Sequence, residues 1–73
     1  MAGHLVKRSF TLAGHRTSIA LEPEFWAALE AEAARRGENL LRLVLAADAA
    51  RDDPGLPLAS ALRVLALRIA QRG

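Results

Sequence analysis

The chain has no cysteine and no tyrosine, and its 73 residues include only one tryptophan, two phenylalanines and two histidines. Without thiols, disulfide staples and thiolate metal sites are both excluded. No apolar run approaches the roughly 18 residues that span a bilayer. The segment Met1 to His4 lacks the charged-then-apolar layout of a secretory signal. A cytoplasmic protein without a membrane partner is expected. Nucleophilic chemistry also lacks its parts: His4 lies at the terminus and His15 beside a turn. Neither stands in a serine, cysteine or carboxylate pattern that pairs a nucleophile with its base, and Ser18 and Ser60 have no identifiable activating base. Glu30, Asp48, Asp52 and Asp53 read as helix-surface or turn residues, with Asp48 a candidate for an intersubunit or third-helix contact. No enzyme, cofactor or metal is expected.

What the chain has is apolar bulk and arginine. Just over half its residues are apolar, and nine of its ten basic residues are arginines. At this length it is a single domain spanning 1–73, one that buries too little surface to be comfortable alone. With the usual staples of small domains absent, self-association remains, and an obligate homodimer is expected. The net charge of +2 hides an uneven distribution: all eight acids lie between Glu22 and Asp53, leaving both ends basic. Basic ends suit phosphate, because releasing condensed counterions rewards cations that meet it. No internal repeat or low-complexity segment stands out.

Alternation marks Arg16–Leu21 as a strand, with Thr17, Ile19 and Leu21 on one face and Arg16, Ser18 and Ala20 on the other. Residues 1–15 form an arm or an extra strand, since Lys7 to Leu12 also alternates and Ala13-Gly14-His15 reads as a turn. The first helix is expected over 23–36. Pro23 sits at its first position, Glu22 and Glu24 lie near the positive end of its dipole, and Gly37 is its stop. The second helix covers 40–51 with Asn39 as N-cap. Leu40, Leu43, Val44 and Ala47 form one stripe on it, and Leu41 and Leu45 a second. Asp52-Asp53-Pro54-Gly55 breaks the chain. A third helix over 57–71 then offers Leu58, Ala61, Leu62, Leu65 and Ile69, widened by Val64 and Leu67, as cover for the second. Its arginines, Arg63, Arg68 and Arg72, are left for solvent or phosphate.

Strand, helix closed by glycine, then capped helix is the order of the ribbon-helix-helix family, and Arg16 to about Arg51 resembles it. The strings Gly14-His15-Arg16-Thr17-Ser18, Leu21-Glu22 and Phe25-Trp26 resemble a bacterial branch that carries a third helix, and Leu58-Ala59-Ser60-Ala61-Leu62-Arg63 resembles that branch's carboxy-terminal motif. The resemblance implies a mainly α fold with one short β-strand, in an intertwined homodimer with an intersubunit antiparallel ribbon. The strand's own physics agrees, because a lone strand leaves both rows of backbone groups unpaired. It also implies insertion of that ribbon in the major groove of a palindromic site. The nominated base-contacting residues are Arg16, Ser18 and Ala20. Asn39 and Leu40 at the start of the second helix, with Lys7, Arg8 and His15, are nominated for phosphate. Ile19, Leu21, Phe25, Trp26, Leu29, Leu43 and Val44 are nominated for the dimer core.

Arg16 can fork two N–H groups to a guanine, and Ser18 can donate or accept. Ala20 departs from the polar residue common at its place in the family and offers only a methyl group. Glu38 is an unhelpful charge beside the phosphate position. Glu32 stands where the family usually has an apolar residue, so either the helix rotates slightly or its carboxylate reaches the core rim, with Arg35 or Arg36 as candidate partner. The functions implied are a transcriptional repressor or autoregulator on double-stranded DNA. The alternative is a protein-interaction module, antitoxin-like or oligomerising, that uses the third helix and the Leu41 and Leu45 surface.

Overall fold

The computed structural model describes residues 4–53 and 55–72. Met1 to Gly3 of the expected arm and Pro54 of the expected turn lie outside the described residues. Two strands come first, β1 (Val6–Leu12) and β2 (His15–Leu21), followed by α1 (Pro23–Arg35), α2 (Leu40–Ala49) and α3 (Leu58–Arg72).

The expectation of one short strand is corrected to two. β1 pairs antiparallel with β2, with Val6 opposite Leu21 and Leu12 opposite His15. One edge of β2 therefore finds an antiparallel partner within the same chain. The reason is local: Ala13 and Gly14 both adopt positive φ, 51° and 84°. That is the mirror-image turn whose twist matches the strands, and so short a loop closes at little entropic cost. His15, expected in the turn, opens β2 instead.

Alternation gives the hairpin two unlike faces. Val6, Phe10, Leu12, Thr17, Ile19 and Leu21 are buried or half-buried against the helices. Phe10 meets Trp26 with ring centroids 6.0 Å apart, and Trp26 Nε1 donates to the Val6 carbonyl at 2.7 Å. The tryptophan thus buries its ring without stranding its N–H.

Each helix boundary has a chemical cause. Glu22 precedes Pro23 at the start of α1, and its carbonyl accepts from the Phe25 and Trp26 amides. At the other end Gly37 takes φ 71°. The Glu38 amide donates to the Ala33 carbonyl at 2.8 Å and the Gly37 amide to Ala34 at 3.1 Å, which is the glycine-closed helix end of the Schellman type. Asn39 Oδ1 accepts from the Arg42 amide at 2.9 Å and caps α2. Past α2, Arg51 folds back on Asp48 at 3.0 Å and on the Leu56 carbonyl at 2.6 Å. Asp48 is thus paired one turn along its own chain, with Arg51. Asp53 Oδ1 accepts from the Gly55 amide at 2.8 Å and tightens the loop into α3.

The core joins all five elements through Leu12, Ile19, Leu21, Trp26, Leu29, Ala33, Leu43, Val44, Leu62 and Ala66. α3 packs against α1 and β2 as well as α2, a wider role than covering α2. Its buried line runs through Leu62 and Ala66. Val64 and Leu67, expected to widen the apolar stripe, are 45% and 55% exposed.

Candidate nucleic-acid interface

The hairpin's outer face is built from both strands. β1 contributes Lys7, Ser9 and Thr11, and β2 contributes Arg16, Ser18 and Ala20. In register Lys7 lies opposite Ala20, Ser9 opposite Ser18, and Thr11 opposite Arg16. Five of the six are exposed and Ala20 is half-buried. The two serine hydroxyls lie 3.1 Å apart at the centre. No large apolar side chain occupies this face, so it has no claim on a protein core.

Electrostatics separates these cations from the others. Arg8 stacks over Trp26 at 5.0 Å and pairs with Glu30. The Glu22 carboxyl is held below its usual range first by the backbone N–H of Glu22 itself and then by Arg63, whose Nε donates to it at 3.0 Å. Arg35, Arg36 and Arg72 converge on Glu32. Among the described residues Lys7, Arg16, Arg42 and Arg68 form no ion pair, so two uncommitted cations stand on the outer ribbon face.

Glu32 is buried, at 4% exposure. Arg35 reaches it at 2.9 and 2.6 Å, Arg36 at 2.6 Å, and Arg72 of α3 at 3.3 Å. The hydrogen bonds from Arg35, then those from Arg36, outweigh desolvation and hold its pKa down to about 2. A carboxylate in an apolar position is tolerated because its oxygens are fully occupied by guanidinium groups. This explains the residue that departs from the family pattern. Arg72 at Glu32 and Arg63 at Glu22, both expected for solvent or phosphate, are thus engaged within the chain.

The nominated residues fall in three places. Arg16, Ser18 and Ala20 share the outer face with Lys7. Arg8, although next to Lys7, points inward to Trp26 and Glu30 and does not join that face, because neighbours along a strand face opposite ways. His15 is exposed at the turn end of β2. Asn39 and Leu40 lie beyond α1, whose 13 residues carry the chain about 20 Å from the end of β2. There the first amides of α2 lack intrahelical partners. Exposed Arg42 stands in that same first turn.

Of the residues nominated for a dimer core, Ile19, Leu21, Trp26, Leu29, Leu43 and Val44 are already buried within one chain. Phe25 is half-buried under the Arg63 guanidinium, 5.9 Å from its ring. Ser9 and Thr11 join the outer face only through the register of β1, which the brief alternation with Phe10 and Leu12 does not specify.

A second feature is an open groove of about 360 Å³ between α2 and α3, lined by the apolar Ala47, Leu56, Ala61, Val64 and Leu65 and by the charged Arg51, Asp52, Asp53 and Arg68. Among the described residues no three of His, Cys, Asp and Glu gather as a metal site needs, and no helix is long and apolar enough to cross a membrane.

Neither curated proteins nor solved structures contain a match to this chain. The family model described as the ribbon-helix-helix domain matches residues 5–70, which take in both strands and nearly all of the three helices. The chain belongs to the ribbon-helix-helix domain family, whose members are generally DNA-binding transcription regulators.

Proposed function

We propose that this chain is a homodimeric transcription regulator, a repressor or autoregulator, that lays a two-stranded ribbon in the major groove of a palindromic DNA site. The observation that carries the reading is the outer hairpin face, which is exposed, free of large apolar groups and bears uncommitted Lys7 and Arg16. The major groove admits a two-stranded ribbon and offers a distinct donor and acceptor pattern for each base pair. Arg16 is the residue suited to guanine, Ser18 makes an adaptable contact, and Ala20 touches only a methyl group. The capped start of α2, with Asn39, Leu40 and Arg42, supplies a phosphate clamp of free amides and charge. An intertwined dimer with an intersubunit ribbon would use the remaining edge of β2.

Selection from random duplexes at moderate salt, with the wild type beside Arg16→Ala, tests the proposal. A palindrome that is selected by the wild type and lost with the substitution supports it. Weak binding to all duplexes that falls steeply with salt would leave only a phosphate-binding protein. Sizing at micromolar concentration tests the dimer, and a folded monomer would remove that part.

A second reading has its own observation. The α2–α3 groove has an apolar floor of Ala47, Leu56, Ala61, Val64 and Leu65 with Arg51, Asp52, Asp53 and Arg68 around it, and Val64 and Leu67 are exposed on α3, which supports a protein-interaction role on the side of α3. Loss of a co-purifying or added protein partner with Leu67→Glu, while DNA binding is retained, distinguishes the two roles.

A further inference from the structure

The carboxyl ends of α1 and α3 meet in a cleft that includes no residue of the hairpin. It is open, about 500 Å³ in volume, and lined by Arg36, Leu65, Arg68, Gln71 and Arg72. Among the described residues no acid lines it. An adjoining hollow is lined by Glu32, Arg35, Ile69 and Arg72, so four guanidinium groups gather about one carboxylate and three positive charges are left over.

Helix ends account for part of this charge. A cation in the last turn of a helix faces the negative end of its dipole, and Arg35 and Arg72 stand in the last turns of α1 and α3. Arg68 stands a full turn earlier, where that effect has faded. It forms no ion pair among the described residues. Like charges four positions apart on a helix, as Arg68 and Arg72 are, repel each other. An anion between them turns that repulsion into a shared attraction.

Glu32 prepares its neighbours for such a ligand. Its buried carboxylate accepts from Nε of Arg36 at 2.6 Å and from Nη2 of Arg72 at 3.3 Å, one nitrogen of each. Both terminal nitrogens of Arg36, and Nε and Nη1 of Arg72, have no hydrogen-bond partner among the described residues. Two long side chains are thus held in place beforehand, which lowers the entropic cost of capturing an anion.

The number of donors and charges selects the anion. A carboxylate or a backbone phosphodiester has one charge and two free oxygens, which a single guanidinium fork satisfies. A terminal phosphate group carries about two charges and three acceptor oxygens, and matches several converging forks. We infer that the cleft binds the terminal phosphate of a small phosphorylated molecule, with Arg36, Arg68 and Arg72 contacting it, Gln71 adding an amide donor and Glu32 acting as a positioning residue. The site is independent of what the ribbon reads.

Titration with inorganic phosphate at constant ionic strength, followed through the arginine Nε–H resonances, tests the site. The wild type is expected to show saturating shifts at Arg36, Arg68 and Arg72. Arg68→Ala, with its fold checked by circular dichroism, is expected to bind phosphate roughly 10- to 100-fold more weakly. Duplex binding by the same two proteins across a salt series is expected to keep its slope. Shifts that grow without saturating, or equal phosphate affinity in Arg68→Ala, overturn the inference and leave Arg68 a structural residue. A salt slope lowered by about one in Arg68→Ala overturns it in favour of a backbone contact. A wild type that binds no duplex removes the DNA-binding role alone, and the phosphate titration still decides this site.

Discussion

Arg72, in the last turn of α3, donates through Nη2 to Oε2 of Glu32 on α1 at 3.3 Å, although the two are 40 positions apart in the chain. With Arg35 and Arg36 it makes Glu32 a tie between the ends of two helices. Because the Glu32 pKa is lowered from 4.5 to about 2 on folding, its contribution is fully present above pH 4.5 and disappears as pH falls toward 2. Urea midpoints measured across that window are expected to fall more steeply for the wild type than for Glu32→Gln, which starts lower at pH 7. Parallel curves would show that the tie does not stabilise the fold.

Leu62 is fully buried on α3 while Leu67 is 55% exposed on the same helix. Leu62→Ala is expected to cost about 2–5 kcal/mol of stability, because it leaves a cavity where α3 meets the core. Leu67→Ala should stay within about 0.5 kcal/mol. Denaturant unfolding of the two variants distinguishes them, and similar losses would mean that α3 packs on a different face.

The turn between the strands holds Ala13 at φ 51° and Gly14 at φ 84°. A Cβ at Gly14 would meet no atom within 4 Å, so the cost of Gly14→Ala is purely one of backbone conformation, about 1–2 kcal/mol. Ala13→Asn should stabilise the hairpin, since asparagine tolerates this region better than alanine. Thermal melting of both variants is expected to shift in opposite directions, and a shift of the same sign would contradict the turn.

Asn39→Ala removes the acceptor for the Arg42 amide and is expected to cost about 1 kcal/mol of stability. Arg42→Ala keeps the cap and should leave stability nearly unchanged while lowering the salt dependence of duplex binding by about one phosphate contact. A loss of stability without any change in salt slope would assign this helix end a purely structural role.

The three helices were legible in the sequence because their signals are local. Pro23 at the start of α1, Gly37 at its end and Asn39 before α2 act within one helical turn, and the apolar spacing of Leu43, Val44 and Leu62 names buried positions directly. The strand at Arg16–Leu21 was legible for the same reason. Its neighbour was not, because Phe10 and Leu12 alternate too briefly to tell an arm from a strand. Pairing depends on two positive φ angles at Ala13 and Gly14, and only one of those residues is a glycine.

The sequence by itself determined the order of the helices, the apolar face of each element and the outward placement of Arg16 and Ser18, because helix caps, periodicity and turn chemistry act over a few residues; the family resemblance made those two residues candidates for base contact. The tertiary structure decided which cations are free and which are engaged. Arg8, Arg63 and Arg72 find acids 22 to 41 positions away, distances that no local pattern encodes. It also decided that β1 pairs with β2 within one chain, which places Lys7, Ser9 and Thr11 beside Arg16, Ser18 and Ala20 on one exposed face.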